Sequence, residues 1–132
     1  MSVTIHTARY NYRGDDRFDI TFRGAREARK RGLDAPGEPF APPGWLLHYA
    51  KGYGVALPQG VAPPTGDLFA WYAEHYLTAM RASYKAHRPA WDALLGREEA
   101  TLVCFCADPA QCHRGLLAGI LVRCGATYLG ER

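Results

Sequence analysis

Residues 101–130, TLVCFCADPAQCHRGLLAGILVRCGATYLG, constrain what this chain can fold into more than any other stretch. TLVCFC, residues 101–106, is a short, apolar, β-prone run of the kind that forms a strand buried on both faces. Asp108 and Pro109 then supply a helix N-cap and a first helical residue, with Gln111 three places after Asp108, close to a capping box. Leu116, Leu117, Ile120 and Leu121 recur at helical spacing, and Gly125 closes the helix. ATYLG reads as another short strand. Strand, helix and strand in this order predict, if the two strands pair, a parallel unit with a right-handed crossover.

The rest of the chain is consistent with an α/β class. Residues 3–10, VTIHTARY, alternate like a strand, with Val3, Ile5 and Thr7 on one face. RFDITFR, residues 17–23, alternates too, so a second strand is expected there. Residues 23–31 hold five basic residues and one acid, which suits a solvated loop or short helix, with contact to a polyanion as the alternative. FAPPG leads into a short helix, WLLHYAKG. Residues 52–66 carry no regular period and three prolines, and read as a long binding or lid loop. Asp67 caps a long helix through residue 88, and Pro89 restarts a second one that Gly96 closes. With 132 residues, 48% of them apolar and 22% charged, the chain suits a single domain, residues 1–132, with one core. The expectation is a three-layer, Rossmann-like α/β domain in which a mostly parallel sheet is flanked by helices.

Chemistry concentrates where the strand meets the helix. Ligands of open α/β sheets gather outside the carboxyl ends of the strands, and a helix N-terminus there is electropositive. Cys106, Cys112, His113 and Arg114 fall at that junction, and a parallel second strand brings Glu131 and Arg132 to the same edge. These surroundings favour a thiolate or a bound anion. Cys104 lies deeper and fits either a core or a functional role, while Cys124, beside Gly125, reads as structural. No secretory apolar region follows Met1 and no apolar run approaches ~18 residues, so neither an export signal nor a membrane span is expected. The four cysteines are then expected as thiols, metal ligands or catalytic groups in a cytoplasm.

Four chemical readings follow. In the first, Cys106 or Cys112 is a nucleophile, His113 a general base and Arg114 a clamp on a phosphate or carboxylate, with Glu131 as a further catalytic candidate. Adjacent helical residues point about 100° apart, so Cys112 and His113 share a target only if the helix start is irregular. In the second, Cys104, Cys106, Cys112 and His113 hold zinc, although Cys-x-Cys-x5-Cys-His departs from the usual knuckle spacing. In the third, Cys106 and Cys112 form a reversible disulfide. In the fourth, Arg9, Arg13, Arg17, Tyr10 and Tyr12 help bind a nucleotide or nucleic acid without catalysis. A net charge of +3 is too small to demand a nucleic-acid partner. The first reading is preferred: an enzyme acting on a small anionic ligand, a nucleotide or nucleic-acid component among the options. Arg9, Tyr10, Arg17 and Arg132 are its ligand-binding candidates, with no cofactor expected and zinc as the alternative.

LVCFCADPAQCHRGLLAGIL resembles the C-terminal signature of the DUF488 family, small bacterial and phage proteins of unassigned function. TARYNYRGDDRFDIT, FAPPGW and GATYLGER are similar to a phage-associated branch of it. The resemblance implies an α/β fold, an enzyme, and a site at Cys104, Cys106, Cys112, His113 and Arg114. It supplies no reaction. The family's FAPTW is FAPPGW here, which detaches that turn from any ligand-shaping role.

Overall fold

The computed structural model describes residues 2–106, 108 and 111–132. Four strands form one all-parallel sheet flanked by five helices, in a Rossmann-like arrangement. Strand β1 (Thr4–Arg9) lies between β3 (Glu99–Cys104) and β4 (Thr127–Glu131), and β2 (Arg17–Asp19) adds beside β3. β3 and β4 are therefore parallel without pairing: both bond to β1, with Ile5 opposite Ala100 on one side and Tyr128 on the other. The strand order places the carboxyl ends of all four strands on one edge.

β2 is shorter than its alternation predicts. RFDITFR stops being a strand at Asp19, because Asp19 Oδ1 accepts from the Thr21 N–H at 2.9 Å and from its hydroxyl at 2.6 Å. Thr21 then caps helix α1 (Phe22–Lys30), its hydroxyl accepting from the Gly24 N–H. Side chain to backbone bonds of this type compete directly with a sheet ladder, and here they turn Phe22 and Arg23 into a first helical turn. A glycine is required at position 24, since a Cβ there would overlap the Asp19 carboxylate.

Helix α2 (Gly44–Ala50) follows the prolines as expected, and residues 52–66 hold no helix or strand. That loop is tethered by the Trp71 indole N–H, which donates to the Ala62 carbonyl at 2.9 Å. Helix α3 (Leu68–Ala86) starts at Asp67, whose carboxylate accepts from the N–H groups of Phe69 and Ala70. Helix α4 (Arg88–Leu95) restarts at Pro89. Buried donors on these helices reach a 3₁₀ turn at Glu38–Phe40: the Tyr76 hydroxyl donates to the Phe40 carbonyl at 2.7 Å, and Ser83 donates to the Pro39 carbonyl.

The core is one cluster of residues from both layers, among them Ile5, Leu102, Phe40, Tyr76, Trp91 and Leu117. Helix α5 (His113–Arg123) packs on β1, β3 and β4. Leu117, Ala118 and Leu121 are buried, while Val122 and Gly119 face outward. The helix ends as its glycine predicts. Gly125 has φ +104°, with Ala126 N–H bonded to Leu121 and Gly125 N–H to Val122, the paired bonds that close a Schellman turn. Among the described residues, no helix is long and apolar enough to cross a membrane.

Leu102 sits fully buried in the sheet centre, so Leu102→Ala should cost about 2–5 kcal/mol in a denaturant titration. Truncation of Leu129, at 62% exposure, should cost well under that.

Candidate functional site

The strand exit is where the fold and the motif meet, and it differs from the sequence expectation at both ends. β3 ends at Cys104 instead of Cys106, so Phe105 and Cys106 leave the sheet and reach the surface. Helix α5 begins at His113, four residues later than a cap at Asp108 requires. Cys112 is the N-cap, in extended conformation (φ −143°, ψ 150°), and its own side chain makes no capping bond. Asp108 instead offers its carbonyl to the Gln111 N–H at 3.1 Å, and the proposed role of Pro109 lies outside the described residues.

That extended N-cap resolves the angular problem of adjacent Cys112 and His113. Because Cys112 is not yet helical, its sulfur and the His113 ring converge: Cys112 Sγ lies 3.8 Å from His113 Nδ1. Cys104 Sγ lies 3.4 Å from the same nitrogen, 2.9 Å from Cys112 Sγ and 3.8 Å from Cys106 Sγ. The sulfurs of Cys104, Cys106 and Cys112 all fall within 4.8 Å of one another, close enough to hold a metal ion. Cys104 is thus the centre of the cluster and not core filling. Cys124 takes no part; it is exposed at the far end of α5.

Electrostatics sort these groups. His113 is buried, and its Nε2 lies 2.8 Å from the Ile20 carbonyl. A carbonyl only accepts, so Nε2 carries the proton and the Nδ1 lone pair faces the thiols. Burial holds the imidazole below its usual range, against the Ile20 bond and the negative charge of Cys106, and keeps it neutral. The Cys106 thiol is pulled far below the ordinary range, first by hydrogen bonds from Cys104 and Cys112, then by the nearby His113 and Arg114. Cys104 is pushed up, by those same bonds and by burial, and stays protonated. Of the three sulfurs, the exposed one is thus the one whose thiol is pulled down, while neighbouring sulfurs and burial push the two buried ones up.

Arg114, the expected anion clamp, is engaged with the protein itself. Its side chain is fully buried, with Nε and Nη2 donating to the two Glu131 carboxylate oxygens at 3.2 and 2.7 Å, and Nη1 to the Cys106 carbonyl at 2.6 Å. The guanidinium ties the end of β4 to the exit of β3. Burial alone would raise the Glu131 carboxyl, but bonds from Arg114 and Thr7, with the Arg114 and Arg9 charges, hold it low.

The second group of sequence candidates gathers elsewhere on this edge. Arg17 donates to the carbonyls of Tyr12 and Tyr10 and lies over the Tyr10 ring at 4.4 Å. The Tyr10 hydroxyl donates to Asp19, and Arg132 donates to the Tyr12 hydroxyl at 2.7 Å. Arg9, at the end of β1, is exposed. None of Arg9, Tyr10, Arg17 or Arg132 lines the cleft beside the cysteines. That cleft has a volume of about 440 Å³. Cys104, Cys106, Cys112 and His113 lie along it, with Phe105 and Tyr72 as apolar wall and Arg23 and Lys51 as cations. Sequence reasoning missed Phe105, Tyr72, Arg23 and Lys51 as site residues. They come from four separate elements, and only the basic run at 23–31 carried any signal.

A Rossmann-like α/β protein with a thiol and imidazole centre at its strand ends is the class that this architecture defines. The family model of DUF488-N3a, described as the active DUF488-N3 subclade, matches residues 56–125, and the chain belongs to that family. The matched span contains the whole cysteine motif; the similar stretches near both ends of the chain lie outside it. No curated protein and no solved structure matches.

Two outcomes are expected. Arg114→Met strands the Glu131 carboxylate and the Cys106 carbonyl, and should cost about 3 kcal/mol or more by chemical denaturation. In the unfolded chain the His113 ring titrates near 6.5, and in the folded protein lower. Protons then bind the unfolded chain first as pH falls, so the stability present above pH 6.5 declines below it. Unfolding titrations between pH 7 and 5 should show a shallower decline in His113→Gln.

Proposed function

We propose that this protein is a thiol-dependent enzyme, with Cys106 as the nucleophile, acting on a small ligand held in the cleft. The observation that carries this reading is the separation of roles within the cluster. The sulfur favoured as the anion is also the one that faces solvent, beside a cavity of ligand size. Thiolates, not thiols, are the nucleophilic species. A subclade described as active suits such chemistry.

The residues divide as follows. Cys106 attacks an electrophilic centre of the ligand; a bond from sulfur forms while the bond to the leaving group breaks, and the leaving group departs with that electron pair. Before attack, the Cys104 S–H stabilises the anionic sulfur, and Cys112 in turn donates to Cys104. The His113 Nδ1 lone pair faces both buried thiols, so His113 acts on Cys106 through them and not directly. Arg114 and Glu131 position the loop that carries Cys106. Water hydrolysing the covalent intermediate would restore the thiol.

Iodoacetamide labelling with peptide mapping tests this. Cys106 should react at a rate nearly independent of pH between about 6 and 8, whereas free N-acetylcysteine, as reference, follows an ordinary thiol near pH ~8.5. Cys104→Ala, which removes the donor, should slow Cys106 labelling at neutral pH. A Cys106 rate that climbs with pH in parallel with the free reference thiol defeats the proposal.

One observation favours a second reading. Around zinc with Zn–S bonds of ~2.3 Å, tetrahedral ligand atoms stand roughly 3.8 Å apart. Cys104 to Cys106 and Cys112 to His113 Nδ1 are both 3.8 Å and Cys104 to His113 is 3.4 Å, whereas Cys104 to Cys112, at 2.9 Å, has to open to admit the ion. The Ile20 carbonyl on Nε2 is also the partner that a metal-bound imidazole commonly has. Near-stoichiometric zinc in the purified protein, lost in Cys112→Ser, would establish this reading and remove Cys106 as a free nucleophile.

A further inference from the structure

The cleft carries information about its occupant that the cysteines do not. Phe105 stands between Cys104 and Cys106 in the chain, lines the cleft, and is 45% exposed. Its exposed ring lies within the cleft, where a ligand can bury apolar area against it. One side of its ring is fixed: Tyr10 stacks on it with centroids 4.0 Å apart and planes 22° from parallel. Tyr10 in turn has the Arg17 guanidinium 4.4 Å from its centroid. Two groups that close cannot share one face of a ring, so Arg17, Tyr10 and Phe105 form a three-layer stack. Phe105 is its outermost layer, and among the described residues Tyr10 is the ring packed against it.

The cleft also carries two cations. Arg23, from the first turn of α1, and Lys51, at the end of α2, both line it, and neither forms a salt bridge among the described residues. The one acid in the lining, Asp67, is engaged in capping α3 through Phe69 and Ala70. Phe22, Phe69 and Tyr72 complete an apolar wall.

We propose that the cleft binds a planar heteroaromatic ring joined to an anionic group, of the nucleoside monophosphate class, with the ring stacked on Phe105 and the anion at Arg23 and Lys51. This names the substrate class for the thiol site and rests on that reading only for what happens after binding. Stacking on Phe105 lays the ligand against the residue next to the Cys106 nucleophile. The ring contact also explains why an aromatic is tolerated on a surface otherwise free to be polar. Base stacking on an aromatic side chain is worth enough to shift affinity about tenfold or more when the ring is removed. The phosphate contact makes binding salt-dependent.

Isothermal titration of the full chain with the adenine, guanine, cytosine and uracil nucleoside 5′-monophosphates tests the proposal, with ribose 5-phosphate and inorganic phosphate as ring-free probes. At least one monophosphate should bind ten times or more tightly than ribose 5-phosphate. Phe105→Leu should weaken it about tenfold, Arg23→Gln and Lys51→Gln should each weaken it several-fold, and raising the salt should weaken it in the wild type. Unchanged thermal unfolding of each variant separates these losses from misfolding. If no monophosphate binds, if ribose 5-phosphate binds equally well, or if Phe105→Leu leaves affinity unaltered, the inference is wrong. Its failure is distinct from that of the thiol reading. Reactive Cys106 without monophosphate binding removes only this inference, and monophosphate binding with an ordinary Cys106 removes only the nucleophile.

Discussion

The Arg114 guanidinium holds together the three pieces from which the site is made. It emerges from the second residue of α5, grips the Glu131 carboxylate at the end of β4 with two donors, and takes the Cys106 carbonyl with a third. A charge with no solvent exposure survives in a protein only when such partners surround it. Because guanidinium donors are planar and fixed in direction, these bonds also set where the chain turns after β3. Cys106 is presented at the surface at the point where that turn occurs.

Around this anchor the cysteine cluster behaves as a graded set and not as three equal thiols. Cys112 and Cys104 are buried and donate inward along the chain of sulfurs, and Cys106 receives. His113 is locked by the Ile20 carbonyl, which belongs to the turn between β2 and α1. That turn exists because Asp19 and Thr21 satisfy each other and the helix start. The tautomer of the site imidazole thus depends on side-chain bonds made in a segment 90 residues away in the chain, which also places Arg23 at the cleft. Thiolate chemistry and metal binding are both reasonable uses of such a set, since each needs deprotonated sulfur and a neutral imidazole.

Much of the fold was legible because local rules and tertiary packing agree. Alternation marked β1, the capping aspartate marked α3, and Gly125 closed α5 where a positive φ is needed. Two elements misled. RFDITFR has a strand's alternation, but the Asp19 and Thr21 hydrogen bonds end β2 after three residues. Asp108 suits a cap of α5, yet α5 begins at His113, with Cys112 drawn into an extended cap among its partner sulfurs. Both errors are cases where a specific polar or sulfur contact overrides a propensity worth only tenths of a kcal/mol.

By itself the sequence determined the α/β class, the parallel sense of the sheet, and the presence of Cys106, Cys112, His113, Arg114 and Glu131 at one edge. Those follow from chain order and element spacing, which are local properties. Only the tertiary structure decided what each group does there. Arg114 and Glu131 bond to one another, Cys104 joins the cluster, and Arg9, Tyr10, Arg17 and Arg132 stand outside the cleft. The cleft's own wall and cations, Phe105, Tyr72, Arg23 and Lys51, come from four separate segments of the chain. Which of those meet depends on how helices pack on a sheet, and no spacing along the sequence records that.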